Sequence, residues 1–486
     1  MPSQAPSNPV DDQPLAISAC GRMLDHLYEE FARKEHVPGL VFGLIHEGRL
    51  AHLKCFGYAD LGSARRVLPE TRFRIASMTK NVTALALLQL HDDGVVSLES
   101  SLADYVPELR AACEPTRDSG PITLRDLLNH IAGLVTDDPW ADRMLGMPPA
   151  AFTDLIRGGE LAAQAPGLAY EYSNLGYALL GRVITNVAAR PYQEFIDERI
   201  FRPLGMKDTS FAFRDISAEH RATGYAWRQG AWAAEPVEPD GEFGAMGGLV
   251  THALDYARYA AFLLDAWPAR DDDETFAIRR ATRRHLARVH APPLPPMMRQ
   301  YRDRNIPVSS AYAYGLVHSY DELLGEYLHH FGGLPGYGSH VLLSPQSGNG
   351  LFAFGNRTYA PLFLVNVQAA SALTEAGAWA QREARPPEPL SRAAEAVLEI
   401  YRSGRIESAA ALLAANLLLD QPALERDALL RRLKRRFGEA RAQSIAPRHA
   451  RAARFSLICT RGCLAGEVVL TPGPEAKIQM LHFDSG

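Results

Sequence analysis

The segment Phe73-Arg-Ile-Ala-Ser-Met-Thr-Lys80 places a lysine three residues after a serine. If Ser77 begins a helix, Lys80 lies one turn away on the same face. A serine hydroxyl is a weak nucleophile that needs a neighbouring base, and a desolvated lysine can lose its proton near neutral pH. The helix start also offers the N–H of Ser77 to a developing oxyanion. The alternative is an N-cap serine with a solvated lysine.

A second segment, Tyr172-Ser-Asn174, precedes a predicted helix over 176–189. A tyrosine whose hydroxyl faces the serine and the lysine could pass a proton to a leaving group. Asn174 lies two residues further along an extended loop, so it points the same way and could bind a substrate carbonyl. The alternative is a tyrosine anchor followed by an asparagine helix cap.

A third segment, Leu328-His-His-Phe-Gly-Gly-Leu-Pro-Gly336, joins a strand-like run to a group of glycines. Glycine lets a substrate approach the backbone closely, so Gly332 is a candidate substrate contact. The N–H of Gly333 is a candidate second donor to an oxyanion, and His330 could line the site. The alternative is a glycine-rich turn flanked by surface histidines.

Taken in chain order, the three segments resemble the three active-site motifs of the serine penicillin-recognising enzymes. The closest resemblance is to the class C β-lactamase-like branch, which also holds family VIII carboxylesterases, DD-peptidases and D-aminopeptidases. The resemblance covers residues 20–375. It also rests on the stretches Ile122-Thr-Leu-Arg-Asp-Leu-Leu-Asn-His-Ile-Ala-Gly-Leu134, Tyr172-Ser-Asn-Leu-Gly-Tyr-Ala-Leu-Leu-Gly181, Pro203-Leu-Gly-Met206 and Gly247-Gly-Leu-Val250.

The resemblance implies a serine hydrolase that works through an acyl-enzyme. Ser77 would be acylated and then hydrolysed, with Lys80 and Tyr172 sharing the roles of general base and general acid. The N–H groups of Ser77 and Gly333 would form the oxyanion hole. The resemblance implies neither a metal nor a cofactor.

The resemblance also assigns the substrate-binding residues, which are Asn174, His330 and Gly332. His330 departs from the Lys-Thr-Gly that β-lactamases usually carry at this place. A neutral histidine binds a carboxylate less well than a lysine does. The sequence therefore favours an esterase or D-amino-acid peptidase acting on small esters or amides. The alternatives are a class C-like β-lactamase or penicillin-binding protein with weak lactam turnover, and a non-catalytic binding protein.

The predicted elements place the motifs on an α+β fold. Strand-like runs come early and late in the chain, with helices between and after them, which favours a central antiparallel sheet flanked by helices with an inserted all-helical region. We expect helices over 17–36 and 362–382, an amphipathic helix over 77–93, mostly helix over 100–300, and strands over 39–46, 50–58, 314–317, 328–331, 337–344 and 350–355.

Composition shifts divide the chain into four parts. Residues 1–17 are polar and Pro-rich and predict a flexible arm, and 18–384 carry the hydrolase motifs. The Pro-rich segment 385–390 predicts a linker. Residues 391–486 predict a small α+β accessory domain, helical over 391–440 and with three strands over 453–483. It would pack on the hydrolase domain, form a homodimer or shape the substrate site.

Net charge and hydropathy indicate which classes of binding partner to expect. A net charge of -5 over 486 residues gives no sign of nucleic-acid binding, and no apolar run is long enough to span a membrane. The N-terminus lacks the pattern of a secretory signal, so we expect a cytoplasmic protein, or a periplasmic or secreted one if a signal was removed. The expected partner is a small-molecule ester, amide or peptide, with a homodimer as an option.

Overall fold

The computed structural model describes residues 17–109, 116, 118–158, 161–380 and 386–484. The chain divides into two compact units, with the boundary between residues 381 and 382. Apart from Ile17, the predicted arm lies outside the described residues, and so does Arg385 of the predicted linker. The finer division into arm, linker and accessory domain stays a prediction.

The first unit is built on a nine-stranded antiparallel sheet. Its order is β3-β2-β1-β13-β12-β11-β10-β9-β8, while β4 pairs with β7 and β5 with β6. The strands are β1 (Gly39–His46), β2 (Arg49–Asp60), β3 (Arg65–Arg66), β4 (Phe73–Arg74), β5 (Tyr225–Arg228), β6 (Ala231–Ala234), β7 (Val250–Thr251), β8 (Met297–Tyr301), β9 (Arg304–Tyr312), β10 (Val317–Asp321), β11 (Gly325–Leu334), β12 (Tyr337–Ser344) and β13 (Asn349–Gly355).

Both ends of this unit meet in the middle of the sheet. β1 pairs with β2 on one side and with β13 on the other, and Leu40 lies opposite Gly355. The expectation of a central antiparallel sheet formed by early and late strands is confirmed.

The helices of the first unit surround this sheet. They are α1 (Ile17–Lys34), α2 (Thr79–Asp92), α3 (Leu102–Tyr105), α4 (Leu124–Leu128), α5 (Asp138–Ala141), α6 (Pro149–Arg157), α7 (Asn174–Ala188), α8 (Tyr192–Ile196), α9 (Gly244–Gly247), α10 (Ala253–Leu264), α11 (Arg280–His285) and α12 (Leu362–Glu375). Short helical turns lie at Ala76–Met78, Asp197–Phe201 and Phe213–Asp215. Most of these helices lie between β4 and β8, which confirms the inserted helical region.

The two faces of the sheet bury different helices. Successive strand residues point to opposite faces, so Phe42 packs in one cluster with α1 and α12 while Val41 packs in another with α2 and α10. On the first face, Tyr28 stacks on Phe42 with ring centroids 3.7 Å apart and donates a hydrogen bond to Asn366. The second face carries the motif residues.

Helix α2 corrects the expectation of an amphipathic helix over 77–93. It begins at Thr79, after the turn that contains Ser77, and every residue from Thr79 to Leu90 is buried. The cause is its surroundings, because α2 packs against α7, α8, α9 and α11. A helix enclosed on all sides has no solvent-facing stripe.

Two strand predictions also change. Of the expected strand over 314–317, residues 314–316 lie in the connection between β9 and β10, where Gly315 has φ of +71°, and only Val317 belongs to a strand. A Cβ there would lie 2.6 Å from the backbone nitrogen of Asn81, so the connection needs glycine. β5 and β6 form a hairpin inside the region expected to be mostly helical. The last expected helix ends at Glu375, before Gly377 at φ of +74°.

The second unit has its own apolar core between helices and one sheet. Its elements are α13 (Glu388–Ser403), a 3-10 turn (Ile406–Leu412), α14 (Ala415–Asp420), α15 (Ala423–Phe437), β14 (Ala440–His449), β15 (Ala452–Cys459), β16 (Gly462–Leu470) and β17 (Ile478–Phe483). The four strands are antiparallel in chain order, which confirms a small α+β domain. The expectation of three strands missed β14, a largely exposed edge strand without a clear apolar pattern.

Candidate active site

Ser77 lies in the turn Ala76–Met78 between β4 and α2. β4 pairs with β7, so the chain enters the turn from a fixed direction. Ala76 has φ of +49°, a left-handed conformation that costs a non-glycine residue about 1–2 kcal/mol. The Ser339 hydroxyl donates to the Ile75 carbonyl oxygen at 2.7 Å and fixes the turn against the sheet. Ser77 itself is 8% exposed.

Lys80 directs its amine at Ser77. Its Nζ donates to the Oγ of Ser77 at 3.1 Å, to the Oδ1 of Asn174 at 2.6 Å and to the carbonyl oxygen of Met246 at 2.9 Å. The lysine is fully buried, and the N-cap of the following helix is Met78 rather than Ser77. A capping serine with a solvated lysine is therefore excluded.

The surroundings of Lys80 favour loss of its proton near neutral pH. Desolvation lowers the pKa of Lys80 to about 8, although the carboxylates of Asp138, Asp142 and Asp137 oppose the shift. Two of the three bonds of Nζ go to oxygens that only accept in this arrangement. The remaining direction, toward Ser77, is therefore where a neutral amine would hold its lone pair.

Tyr172 lies beside the same amine. The Nζ of Lys80 is 4.8 Å from the centroid of the Tyr172 ring. Desolvation raises the pKa of Tyr172 well above its usual value, and a hydrogen bond with Ser77 works in the opposite direction. The phenol is therefore protonated at neutral pH and in contact with the serine hydroxyl.

Asn174 is bonded at both ends of its side-chain amide. Its Oδ1 accepts from Lys80, its Nδ2 donates to the Oδ1 of Asp138 at 2.6 Å, and its backbone N–H donates to the Oδ1 of Asp137 at 2.7 Å. Asn174 begins helix α7, whose N-cap is Ser173. The structure thus places Asn174 as the residue that holds the lysine amine, and a substrate contact there stays a prediction.

His330 lies in the same cluster, but both of its ring nitrogens are bonded. Nδ1 is 2.7 Å from the carbonyl oxygen of Phe331, which can only accept, so Nδ1 donates and Nε2 accepts from the Tyr312 hydroxyl at 2.9 Å. Desolvation, with a smaller contribution from Lys80, lowers the pKa of His330 to about 3. The ring is buried and neutral, so the alternative of a surface histidine is wrong at this position.

Gly332 and Gly333 have different environments. A Cβ on Gly332 would lie 2.4 Å from the Ile75 carbonyl oxygen, so this glycine lets β11 pack on the serine turn. Leu334 pairs with Tyr337 across a two-residue turn. Alternation in the antiparallel ladder therefore turns the N–H of Gly333 away from β12. The substrate contact at Gly332 and the oxyanion role of Gly333 stay predictions.

His130 is a site residue that the sequence reasoning missed. Its carbonyl oxygen accepts from the Glu171 N–H at 2.8 Å, and its Nδ1 accepts from the Ser173 N–H at 3.1 Å. Its ring lies 4.3 Å from the ring of Tyr172. His130 therefore fixes the backbone on both sides of Tyr172. The sequence feature that could have indicated His130 is its position within the stretch from Ile122 to Leu134, which resembles the family.

Three acidic residues and a tyrosine were also missed. Asp137, Asp138 and Asp142 lie on or beside the short helix α5. The Tyr359 hydroxyl donates to the Oδ2 of Asp142 at 2.7 Å, and the Tyr359 ring covers Gly333, where a Cβ would come within 2.6 Å. Desolvation raises the pKa of Asp142 to about 7. The Asp142 carboxyl is therefore only partly ionised near neutral pH.

A cavity of about 90 Å³ opens beside the turn between β11 and β12. Its lining includes Leu334 and charged side chains of both signs, which are Arg74, Arg221, Asp142, Glu235 and Glu238. The Arg74 guanidinium donates to Asp240 at 2.8 Å. Within the described ranges, no group of three His, Cys, Asp or Glu side chains could hold a metal ion. None of the described helices has the length and apolar character needed to cross a membrane.

An antiparallel sheet between two helical layers, with a buried serine and lysine beside a half-buried tyrosine, defines a β-lactamase-like protein. The chain belongs to the Beta-lactamase family, whose model matches residues 24–374. Proteins with this fold are usually serine hydrolases. The resemblance drawn from the motifs is therefore confirmed at the level of the family.

Curated relatives share about a quarter of their residues with the chain. Protein flp from Staphylococcus aureus (strain MW2) is 26% identical over 341 residues, which cover 69% of this chain and 63% of that protein. Beta-lactamase-like protein 4 from Dictyostelium discoideum is 28% identical over 269 residues, which cover 52% of this chain and 46% of that protein. The matched part is thus less than two thirds of the length of these relatives.

Two solved structures share the fold. One is the octameric penicillin-binding protein homologue from Pyrococcus abyssi, at a TM-score of 0.63 and 20% identity, covering 95% of this chain and 99% of that one. The other is a class C beta-lactamase, at a TM-score of 0.58 and 17% identity, covering 73% of this chain and 97% of that one. At these identities the likeness establishes the fold.

Proposed function

We propose that the protein is a serine hydrolase that acts through an acyl-enzyme on small esters or amides, of the esterase or D-amino-acid peptidase type. The observation that carries the proposal is the 3.1 Å contact between the Nζ of Lys80 and the Oγ of Ser77 in a buried site. A serine becomes a nucleophile when a base stands in hydrogen-bonding contact with it.

The first half-reaction acylates the serine. Neutral Lys80 accepts the proton of the Ser77 hydroxyl while Oγ forms a bond to the substrate carbonyl carbon. The carbonyl oxygen becomes an oxyanion that accepts from the N–H groups of Ser77 and Gly333. The bond to the leaving group then breaks, and the leaving group takes a proton from Tyr172, which regains one from Lys80.

The second half-reaction releases the acid. A water molecule gives a proton to the neutral amine of Lys80 and attacks the carbonyl carbon of the acyl-enzyme, whose oxygen again enters the oxyanion hole. The bond to Oγ breaks and Ser77 recovers its proton, so the net reaction is hydrolysis. The raised pKa of Tyr172 supports its role as the general acid, and the lowered pKa of Lys80 supports its role as the general base.

Substrate binding follows from the same cluster. Asn174, His330 and Gly332 are the proposed substrate contacts, and His330 is neutral and already bonded on both ring nitrogens. A site with a neutral histidine lacks the cation that would bind the carboxylate of a β-lactam, which supports esters and amides over lactams.

A fluorophosphonate probe tests the nucleophile. We expect labelling of the wild type, loss of labelling in Ser77→Ala, and full labelling in Ser63→Ala, which removes an exposed hydroxyl that is bonded to Asp60. Unchanged labelling of Ser77→Ala would contradict the assignment.

Turnover is tested with p-nitrophenyl acetate, D-alanyl anilides and nitrocefin. We expect hydrolysis of the ester or the anilide and slow or no hydrolysis of nitrocefin. If no substrate is turned over and mass spectrometry finds no acyl-enzyme, the chain is a binding protein on this fold. Fast nitrocefin hydrolysis would instead make it a β-lactamase.

A further inference from the structure

The side chain of Tyr359 lies between Gly333 and solvent. Its ring packs on Gly333, because a Cβ on that glycine would come 2.6 Å from Cδ1 and 3.3 Å from Cε1 of the ring. Tyr359 is 50% exposed, so the side of the ring away from the glycine faces water. Gly333 is the residue whose N–H is the proposed second donor to the oxyanion. A substrate held at this N–H therefore lies close to the Tyr359 ring.

The backbone of Tyr359 is fixed to the turn that follows Gly333. Its N–H donates to the carbonyl oxygen of Tyr337 at 3.1 Å and, as a shared bond, to that of Leu334 at 3.4 Å. Tyr359 has φ of +51°, a conformation that is costly for a residue other than glycine and that is concentrated at active sites and ligand clamps. The sheet therefore sets the position from which the ring projects.

The hydroxyl of Tyr359 is held by the inserted helical region. It donates to the Oδ2 of Asp142 at 2.7 Å, across 217 positions of the chain. Asp142 directly follows helix α5 and is buried. The hydrogen bond therefore joins the helical region to the sheet beside Gly333. We call the Tyr359 ring together with this hydrogen bond the tyrosine lid.

The proposed mechanism assigns directions to the parts of a bound ester. Its carbonyl oxygen accepts from the N–H groups of Ser77 and Gly333, and its leaving group takes a proton from Tyr172. Among the described residues, no ring contact or hydrogen bond joins Tyr359 to Tyr172. The tyrosine lid thus lies on the side of Gly333, away from the proton donor. The part of the ester that faces the lid is therefore the acyl group.

The surroundings of the lid contain further space. The cavity of about 90 Å³ beside the turn between β11 and β12 is lined by Asp142 and Leu334 but not by Tyr359. Apolar side chains contribute to the same lining, and they include Leu145, Phe213 and Val237. Leu334 directly follows Gly333 in the chain, so the cavity begins next to the residue that the lid covers. Removal of the Tyr359 ring would add room beside Gly333.

We infer that Tyr359 is a specificity-determining residue, whose ring forms the wall of the acyl-group site and is held in place by Asp142. The inference rests on the proposed function and adds a residue to it. A wall acts on the length of the acyl group, because one methylene in a pocket changes kcat/KM by about 10–200-fold. Tyr359 takes no part in proton transfer, so its effect is a change of selectivity.

The competing explanation is that Tyr359 only fastens the sheet to the helical region. In that case its substitution would lower stability, or change the turnover of all esters by one common factor. A wall of the acyl-group site instead changes the ratio between long and short acyl groups. It leaves the ratio between long and short leaving groups in place, so the two ratios separate the explanations.

The experiment measures kcat/KM for two pairs of esters. The acyl pair is p-nitrophenyl hexanoate and p-nitrophenyl acetate, and the leaving-group pair is hexyl acetate and methyl acetate. We expect Tyr359→Ala to raise the hexanoate-to-acetate ratio at least about tenfold and to leave the leaving-group ratio within about twofold. Tyr359→Phe and Asp142→Ala remove only the hydrogen bond and should each raise the acyl ratio at least about threefold. Asp142→Asn keeps an acceptor oxygen and should not change it.

The matched control is Tyr320→Ala, which removes another exposed tyrosine, on strand β10 of the same sheet. It should leave both ratios unchanged. An acyl ratio that rises in none of the folded Tyr359→Ala, Tyr359→Phe and Asp142→Ala variants overturns the inference alone, and so does a change confined to the leaving-group ratio. Absence of ester hydrolysis and of probe labelling in the wild type overturns the proposed function and this inference with it.

Discussion

The Oδ1 of Asn174 lies 2.6 Å from the Nζ of Lys80, which makes this the shortest of the three bonds of the lysine amine. The amide is a neutral acceptor that orients the amine without adding charge. Asn174 therefore lets Lys80 keep a pKa of about 8 within a site that already contains several carboxylates.

The first prediction concerns the pH dependence of turnover. With Lys80 as the base, kcat/KM for p-nitrophenyl acetate should rise with pH and level off above about pH 8, because only the neutral amine accepts a proton. Asn174→Asp puts an opposite charge beside the amine, so its pKa rises and the profile moves to higher pH by about one unit or more. Asn186→Asp, an exposed position on the same helix, should leave the profile in place. An unmoved profile in Asn174→Asp would contradict the role of Lys80.

The second prediction concerns His130, which positions Tyr172 through the backbone of the preceding loop. Its φ of +57° suits asparagine, and an asparagine Oδ1 can replace Nδ1 as the acceptor for the Ser173 N–H. We expect His130→Asn to keep kcat within about fivefold, while His130→Ala and His130→Gly lose at least tenfold in kcat with little change in KM.

His130→Gly is the control for backbone strain, because glycine adopts this conformation freely. Equal activity in the asparagine and glycine variants would show that the ring nitrogen has no part in positioning Tyr172.

The third prediction concerns stability in acid. Desolvation lowers the pKa of His340 well below its usual value, with smaller contributions from His329 and His330, and both ring nitrogens of His340 lack a partner. Such histidines are neutral when folded and bind protons when unfolded. Their contribution to stability is therefore complete above about pH 6.5 and falls as the pH drops toward the folded pKa. For His330, whose pKa is lowered to about 3, the loss at about pH 5 is about 2 kcal/mol.

Urea unfolding at about pH 5 and pH 7.5 measures this effect. His340→Leu removes a buried polar ring without partners, so it should hold or raise the free energy of unfolding at the higher pH and reduce the loss at the lower one. His26→Gln, which changes a histidine that is 79% exposed, should keep the wild-type loss. An identical loss in His340→Leu would refute the assignment.

The fourth prediction concerns the packing of β11 on the serine turn. A Cβ on Gly332 would lie 2.3 Å from the Ser339 Oγ and 2.4 Å from the Ile75 carbonyl oxygen. Gly332→Ala should therefore lower the free energy of unfolding by about 1–3 kcal/mol and reduce kcat, because the turn that carries Ser77 must shift. Gly120→Ala, where no atom lies within 4 Å of the new methyl, should change neither. A fully stable and active Gly332→Ala would show that the turn does not depend on this contact.

The sequence predicted those parts of the fold that depend on residues close together in the chain. The strand over 337–344 has the expected bounds because turn residues flank it on both sides and it contains the apolar run Val341-Leu-Leu343. Ser77, Lys80 and Tyr172 could be identified because the motifs fix residue types, order and spacing. The contact that the motif predicted between Ser77 and Lys80 spans a single helical turn.

The sequence could not predict what depends on distant partners. Asp138 could be assigned to the site only from the structure, because its carboxylate accepts a hydrogen bond from Asn174, 36 positions further along the chain. Helix α2 carries polar residues such as Asn81 that are typical of a solvent-facing side, yet other helices enclose it. Gly315 lies between β9 and β10, where the backbone of α2 approaches so closely that a Cβ would not fit.

The pairing of β1 with β13 sets the order of events during synthesis. β13 follows β1 by about 300 residues, so at roughly 5–20 residues per second a nascent chain holds β1 without its second partner for roughly 15–60 seconds. Until then the β1–β2 hairpin has one open, apolar edge, which is the kind of edge that pairs with other chains. Chaperone supply and growth temperature, more than inducer strength, should therefore decide how much of this protein a producing cell recovers in folded form.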